Sequence, residues 1–359
     1  MTNKIPIIKV KSEVKKISNT NPNIRDVVCL IGGFETDDNY LEPTFYTTLE
    51  AAEADLYDGS ESTLPAANKA LKQLFRQDIS GVLCVNVSVK SGQSAPYTWA
   101  RTVTKKKLQD SLAAVNQLEF DILYVAEELS DELIGVIDED ANARFEDKRP
   151  YGYIGVGTRG TTSAYTTTAG LLGDFCYAYL TQTVTVGDTS LTLLESGAWL
   201  TNTIATLPVG QSLTSKVLED VTNIGTSYTF DDEDDGTVLV GLGYFVIRLV
   251  NPMQNTYECV NSAGANGLDL YINRVRDYIV NEFALRKYLG EKNNTATLSG
   301  IELECTRILQ KFKVDMGVIE NITYAVEKVS TDKVNVILNT IEFAGIITEI
   351  DVFITIEVV

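Results

Sequence analysis

Gly155, Gly157 and Gly160 satisfy G-x-G-x-x-G directly after an apolar stretch at 151–156, the spacing with which a dinucleotide-binding turn brings backbone amides against a pyrophosphate. The context argues for something plainer. Residues 161–168, TTSAYTTT, make a poor opening for the helix that such a site needs, and Arg159 has no evident part in it. The strand is also the fourth or fifth in order rather than the first. A strand-end turn is the simpler reading, with a nucleotide-binding enzyme using the loop at 155–160 as the alternative. No G-K-S or G-K-T occurs, so there is no P-loop.

The other candidate chemistry is thinner. The acidic run Asp231, Asp232, Glu233, Asp234, Asp235 and Gly236 lacks the D-x-D-x-D-G spacing and distal glutamate of a calcium loop, and reads as a solvated hairpin tip. The chain has no histidine. That removes the commonest general base and the commonest neutral metal ligand, and with them histidine triads, HExxH zinc sites and facial-triad iron sites. Five cysteines, Cys29, Cys84, Cys176, Cys259 and Cys305, are odd in number and widely spaced in apolar surroundings, so buried free thiols and a reducing cytoplasm are expected. Neither an enzyme nor a cofactor is expected.

A formal charge of −19 disfavours nucleic acid as a partner, because phosphate binding needs clustered Lys and Arg. Over 359 residues, 44% hydrophobic content can bury a large core in two or three domains. No apolar stretch approaches membrane-spanning length, and residues 1–16 lack the apolar core of a secretory leader, so no membrane binding is expected.

The elements that would position these groups alternate. Strands are expected at 27–33, 82–89, 120–126 and 151–156. Helices are expected at 64–77, where Ala67, Ala70, Leu71, Leu74 and Phe75 recur at three and four residues, at 104–116, and from Ser130. That order implies an α/β layer with a largely parallel sheet. From 161 to 255 alternation dominates, giving a β-rich expectation at 181–194 and 228–248 around a small-residue AGLLG helix at 169–173. Further on, Leu268, Ile272, Val275, Ile279 and Phe283 mark an amphipathic helix whose polar face shows Arg274, Arg276 and Asp277. A second helix is expected at 300–312, then strands at 319–329, 334–343 and 345–359. Between 268 and 315, eight basic residues meet seven acidic ones, so this part is nearly neutral in an acidic chain. The polar face is either an ordinary charged surface or a dock for an acidic partner.

Both ends read as strands that want partners. Ile350, Val352, Ile354, Ile356 and Val358 fall on one face, with Glu349 and Asp351 among the residues of the other. At the opposite end Ile8 and Val10 alternate with Lys9 and Lys11. A basic strand and an acidic strand suit head-to-tail exchange between identical subunits, and twelve extended residues reach about 40 Å at roughly 3.3 Å each.

The order of segments resembles the sheath proteins of contractile phage tails and of related injection machines such as R-type bacteriocins. The pieces are YTTLEAAEADLYDG, ANKALKQLF, GVLCVNV, LAAVNQLEFDILYV, AGLLG, INRVRDYI and the closing VNVILNTIEFAGIITEIDVFITIEVV. The resemblance implies a multidomain α+β and α/β fold with extended terminal β-arms. Residues 1–25 would join 256–359 as a tube-proximal α+β domain, 26–160 would form an outer α/β domain, and 161–255 a β-rich part of the outer region. It further implies stacked hexameric rings around a tail tube, contraction, and partners in the tube, baseplate and terminator proteins as well as in other copies. Strand exchange would fall to the terminal residues named above, and tube contact to Arg274, Arg276, Arg286 and Lys287. The particle would be a virion tail or an injection system assembled in the host cytoplasm. Another self-assembling tube or surface-array protein is the remaining alternative, against which the length and the α/β region count.

Overall fold

The computed structural model describes residues 9–10, 27–59, 63–91, 98–159, 161–231, 234–264, 266–283, 295–328 and 334–343. The chain divides into two units, Met1–Asn281 and Glu282–Val359.

The first unit is built on a seven-stranded sheet. In chain order its elements are β1 (Lys9–Val10), β2 (Val27–Gly32), β3 (Thr44–Tyr46), α1 (Leu49–Leu56), α2 (Ala66–Leu74), β4 (Gly81–Asn86), the hairpin of β5 (Val89–Ser91) and β6 (Thr98–Ala100), α3 (Lys105–Val115), β7 (Ile122–Val125), α4 (Asp131–Glu146), β8 (Gly152–Val156), α5 (Thr162–Ala169) and β9 (Cys176–Leu180). The spatial order is β1, β3, β4, β2, β7, β8, β9. The strands from β4 to β9 run parallel, with β3 antiparallel to β4.

Each central strand is buried on both faces, which is why these stretches read as continuous apolar runs. In β2, Val28 and Leu30 enter one core with Ala52 of α1 and Leu71 of α2, while Cys29 and Ile31 enter the other with Leu112 of α3 and Ile134 of α4. The expected parallel α/β layer is therefore present, and the mixed multidomain fold class with it. Helix starts follow local capping chemistry: the hydroxyls of Thr48, Thr104 and Ser130 accept first-turn amides of α1, α3 and α4.

Beyond residue 160 the sequence expectation needs correction. TTSAYTTT does form a helix, α5, because Thr161 caps it and Tyr165 and Ala169 pack on the second core. Its threonines turn their hydroxyls back onto carbonyls one turn earlier, Thr166 to Thr162 and Thr167 to Ser163. AGLLG is the end of that helix and a turn rather than a helix of its own. The sheet continues through β9, past residue 160. A small sheet of β10 (Val184–Val186), β11 (Thr189–Ser190) and, after α6 (Leu193–Thr206), β12 (Val221–Ile224) follows. Helix α6 lies in a stretch that begins inside the expected β-rich segment. Its buried residues Ala198, Leu200 and Ile204 fill the first core, and Gly197 lets it lie against β7 and β8, since a Cβ there would come within 2.3 Å of Val156. The acidic run does not turn a hairpin. It leads into α7 (Asp235–Gly241), where carboxylates at a helix N-terminus complement its dipole. A hairpin of β13 (Val246–Asn251) and β14 (Thr256–Asn261) precedes α8 (Leu270–Phe283).

The second unit comprises the end of α8, α9 (Thr295–Gln310), a π-helical turn (Lys311–Asp315) and the antiparallel pair β15 (Ile319–Lys328) and β16 (Val334–Phe343). Ile301, Cys305 and Ile308 form the buried stripe of α9, joined by Phe312, Val318, Ile319 and Ile322. None of the described residues of β16 is fully buried, although Val336, Leu338 and Ile341 are apolar.

Candidate functional site

Three places can be tested for chemistry or recognition. The first is the glycine turn. A Cβ on Gly155 would meet the Tyr179 ring at 2.5 Å, and one on Gly157 would meet the Tyr179 hydroxyl at 2.4 Å. These glycines clear room for a tyrosine from the neighbouring strand β9. Gly160 lies outside the described residues. Arg159 does have a part: its Nε donates to Thr168 at 2.9 Å, Nη2 to the Leu129 carbonyl at 2.7 Å and Nη1 to the Thr158 carbonyl at 3.2 Å, with Asp131 at 3.7 Å. A cleft of about 340 Å³ adjoins the turn. Its groups bond one another: Thr162 donates to Asp235, Thr158 to Glu128, Thr181 meets Tyr228, and the Tyr165 hydroxyl accepts the Arg159 amide. With the guanidinium engaged and the Asp235 carboxylate in the lining, the cleft is poorly suited to a pyrophosphate.

The second is the crevice beyond the carboxyl ends of β2 and β7, whose following helices α1 and α2 and α4 lie on opposite faces. That is where open α/β sheets bind ligands. Here the chain fills it. A Cβ on Gly33 would fall 2.4 Å from Cβ of Arg101, and one on Gly32 would fall 2.7 Å from Ala67 and 3.0 Å from Ala126. Arg101 donates from Nε to the Phe34 carbonyl at 3.2 Å and stacks 4.5 Å from the Trp99 ring, which Lys90 also approaches at 5.0 Å. Val103 donates its amide to Glu127 at 3.1 Å. Asn86 then locks the turn after β2, accepting from the Phe34 and Ser88 amides and donating to the Thr36 and Asp38 carbonyls.

Nucleophiles are equally unpromising. All five cysteines are buried and free. Burial pushes the Cys29 thiol up to about 12 and Cys305 up to about 11, and raises Cys84, Cys176 and Cys259 as well. Among the described residues, no group of three metal-ligating side chains is placed to hold an ion, and no helix is long and apolar enough to cross a membrane.

The third place is the proposed pairing and docking surface. The backbone of Lys9 and Val10 lies parallel to Thr44 and Phe45 at the β3 edge of the same chain. Ile8, Lys11, Glu349, Ile350, Asp351, Val352, Ile354, Ile356 and Val358 lie outside the described residues, as do Arg286 and Lys287. Helix α8 corrects its expected polar face. Arg274 is only 6% exposed and donates from Nη1 to the Leu207 carbonyl at 2.8 Å. Arg276 donates to Asp277 at 2.7 Å and to the Asp174 carbonyl at 3.2 Å, and packs on the rings of Phe145 and Phe175. Asp277 in turn accepts from the Tyr177 hydroxyl at 2.8 Å. Both arginines bind α8 into its own unit.

Sequence reasoning missed the anchor at the start of α8. One oxygen of Asp269 accepts from Ser212 at 2.7 Å, Thr214 at 2.8 Å and Ser262 at 2.9 Å, while the other caps the Tyr271 amide at 3.0 Å. Asp269 directly before Leu270, the first residue of α8, was a legible cap signal; its hydroxyl partners, 57 and 55 positions away for Ser212 and Thr214, were not.

No protein-family model matches the sequence, and no curated protein matches it. Solved structures do. The chain matches a chain of the anti-feeding prophage helical sheath in its contracted state with a TM-score of 0.64 and 12% identity, over 99% of both chains. A chain of the anti-feeding prophage baseplate structure matches with a TM-score of 0.66 and 12% identity, again over 99% of both. The sheath tail protein of Desulfitobacterium hafniense matches at 0.60 and 14% identity, over 92% of this chain and 100% of that one. Identities this low establish the fold: the chain has the fold of tail sheath proteins.

Proposed function

We propose that this chain is the structural, non-catalytic subunit of a contractile tail sheath, polymerising as stacked hexameric rings around a tube and contracting to drive that tube through a target envelope. The observation that carries the proposal is a match to a contracted sheath chain that leaves almost none of either chain uncovered. Two features of the molecule support it. The crevice an α/β enzyme would use is filled by Arg101. The β15–β16 pair keeps apolar side chains of β16 incompletely covered, as befits a sheet that other strands complete.

In this proposal the terminal strand Glu349 to Val358 pairs with a neighbouring copy, and the arm Ile8 to Lys11, whose Lys9 and Val10 lie on β3 of their own chain, exchanges that edge for a neighbour's on assembly. Main-chain hydrogen bonds keep the lattice connected while the bodies move. Residues 1–25 with 256–359 form the inner part and 26–255 the outer. Because Arg274 and Arg276 are engaged within the chain, contact with the tube protein falls to Arg286 and Lys287. Contraction needs no nucleotide if subunits assemble in a metastable lattice and then bury more surface, at roughly 25 cal/mol per Å² of apolar area in every copy. Baseplate and terminator proteins would bound the polymer at its two ends, and the particle would be a virion tail or injection system assembled in the host cytoplasm. Electron microscopy of the purified protein tests the proposal. Long hollow cylinders are expected, and uniformly dispersed monomers under conditions spanning low to high salt would contradict it.

A further inference from the structure

The loop that leads into α8 carries the chain's one Asn-Gly pair, Asn266–Gly267. That dipeptide offers little steric resistance to attack by the chain on itself. Glycine has no Cβ to screen its backbone nitrogen, so the nitrogen can reach Cγ of the preceding asparagine and close a five-membered ring. Gly267 is exposed, its φ of +73° is the left-handed conformation that glycine adopts without strain, and a Cβ there would meet nothing within 4 Å. The pair is therefore open to solvent base.

The folded loop nevertheless withholds both reacting groups. The nucleophile is occupied, because the Gly267 amide donates to the Gly264 carbonyl at 2.9 Å. The electrophile is clamped through both of its polar atoms. Asn266 Oδ1 accepts from the Leu268 amide at 3.0 Å and from Asn273 Nδ2 at 3.4 Å, while Asn266 Nδ2 donates to Asn273 Oδ1 at 2.9 Å and reaches the Asp174 carbonyl at 3.5 Å. Asn273, fully buried near the start of α8, is itself fixed by a bond from Nδ2 to the Leu268 carbonyl at 3.3 Å. The two facing amides hold the plane of the Asn266 side chain, and attack needs that plane turned so that its face meets the Gly267 nitrogen.

We infer that Asn266–Gly267 is a self-modifying site, able to deamidate without an enzyme, and that Asn273 keeps it unreacted in the folded chain. In the reaction the Gly267 nitrogen gives its proton to solvent base and bonds to Asn266 Cγ. The Cγ–Nδ2 bond breaks, and Nδ2 leaves as ammonia with its third hydrogen taken from water. Water then opens the succinimide at either carbonyl. Cleavage between Cγ and the Gly267 nitrogen leaves aspartate; cleavage on the main-chain side leaves isoaspartate, with the chain rerouted through Cβ and Cγ. Either product adds a negative charge and loses the Nδ2 donor that faced Asn273 Oδ1 and the Asp174 carbonyl, so α8 is held less firmly.

Peptide mass spectrometry of the full-length protein, incubated at mildly alkaline pH, reads the reaction as a gain of about 1 Da at Asn266. In the folded wild type it should run at least about tenfold slower than in the urea-unfolded chain, and Asn273→Ala should speed it at least about threefold. Equal rates in folded and unfolded wild type would overturn the inference, as would an Asn273→Ala protein that stays folded by circular dichroism and reacts no faster than wild type. Should that variant unfold, wild type in sub-denaturing urea supplies the reading instead: modification of Asn266 should rise in step with hydrogen exchange at the Gly267 amide, and indifference to that exchange contradicts the protection. Asn266→Asp, a mimic of one product, should lower the melting temperature by about 2 °C or more; an unchanged melting temperature would remove the link to α8.

Discussion

The seven-stranded sheet and the β15–β16 pair use similar residues to opposite ends. In β2, Val28, Cys29, Leu30 and Ile31 are all fully buried, alternate side chains feeding cores on opposite faces. In β16, Val336, Leu338 and Ile341 are also aliphatic, yet none is buried, and Ile337 is 37% exposed. The first sheet is complete on its faces and even fills its own ligand crevice. Among the described residues the second is a two-stranded ladder, a size that is marginal on its own. Apolar strands therefore do not all report a closed core: in the proposed sheath role the partly covered aliphatics of β16 are surface kept for pairing.

Mutations probe this division of labour. The largest effect is expected for Leu30→Ala, which opens a cavity in the closed body and should cost about 2–5 kcal/mol in denaturant unfolding. Leu338→Ala should cost less, about 1–2 kcal/mol in the isolated chain, because its side chain is only partly buried; equal losses would erase the distinction. Gly155→Ala should cost about 1–3 kcal/mol, since the added methyl overlaps the Tyr179 ring, and it should leave assembly geometry unchanged once the protein is folded. Thr192→Ala removes the cap of α6, whose hydroxyl and Glu195 partner form a reciprocal pair, and should cost about 1 kcal/mol. Smallest and opposite in sign, Gly135→Ala on α4, with nothing within 4 Å of the new methyl, should stabilise by about 0.5–1 kcal/mol.

The sheet was legible because central parallel strands are buried on both sides and so appear as VVCLIG, GVLCVN and ILYV. Helices α3 and α4 were legible from Thr104 and Ser130, which cap where the pattern begins. Helix α6 was missed because the β-rich reading of 181–194 ran into its first turn, although Thr192 and Glu195 spell a capping box there. Helix α5 could not be read from propensity, because packing of Tyr165 and Ala169 decides it. The glycine turn carried no sign of its purpose, since the ring it makes room for belongs to the next strand. The face of α8 failed for a related reason. A helical pattern separates polar from apolar residues, but only the fold reveals that Arg274 finds the Leu207 carbonyl and Asp277 finds Tyr177.

The central claim is that the C-terminal strand joins copies rather than completing its own body, and deleting residues 350–359 is the decisive experiment. Sedimentation and electron microscopy of the truncated and full-length proteins side by side should show cylinders only from the intact chain, with the truncated protein remaining a folded monomer of unchanged circular dichroism. Cylinders of normal length from the truncated protein would contradict the account.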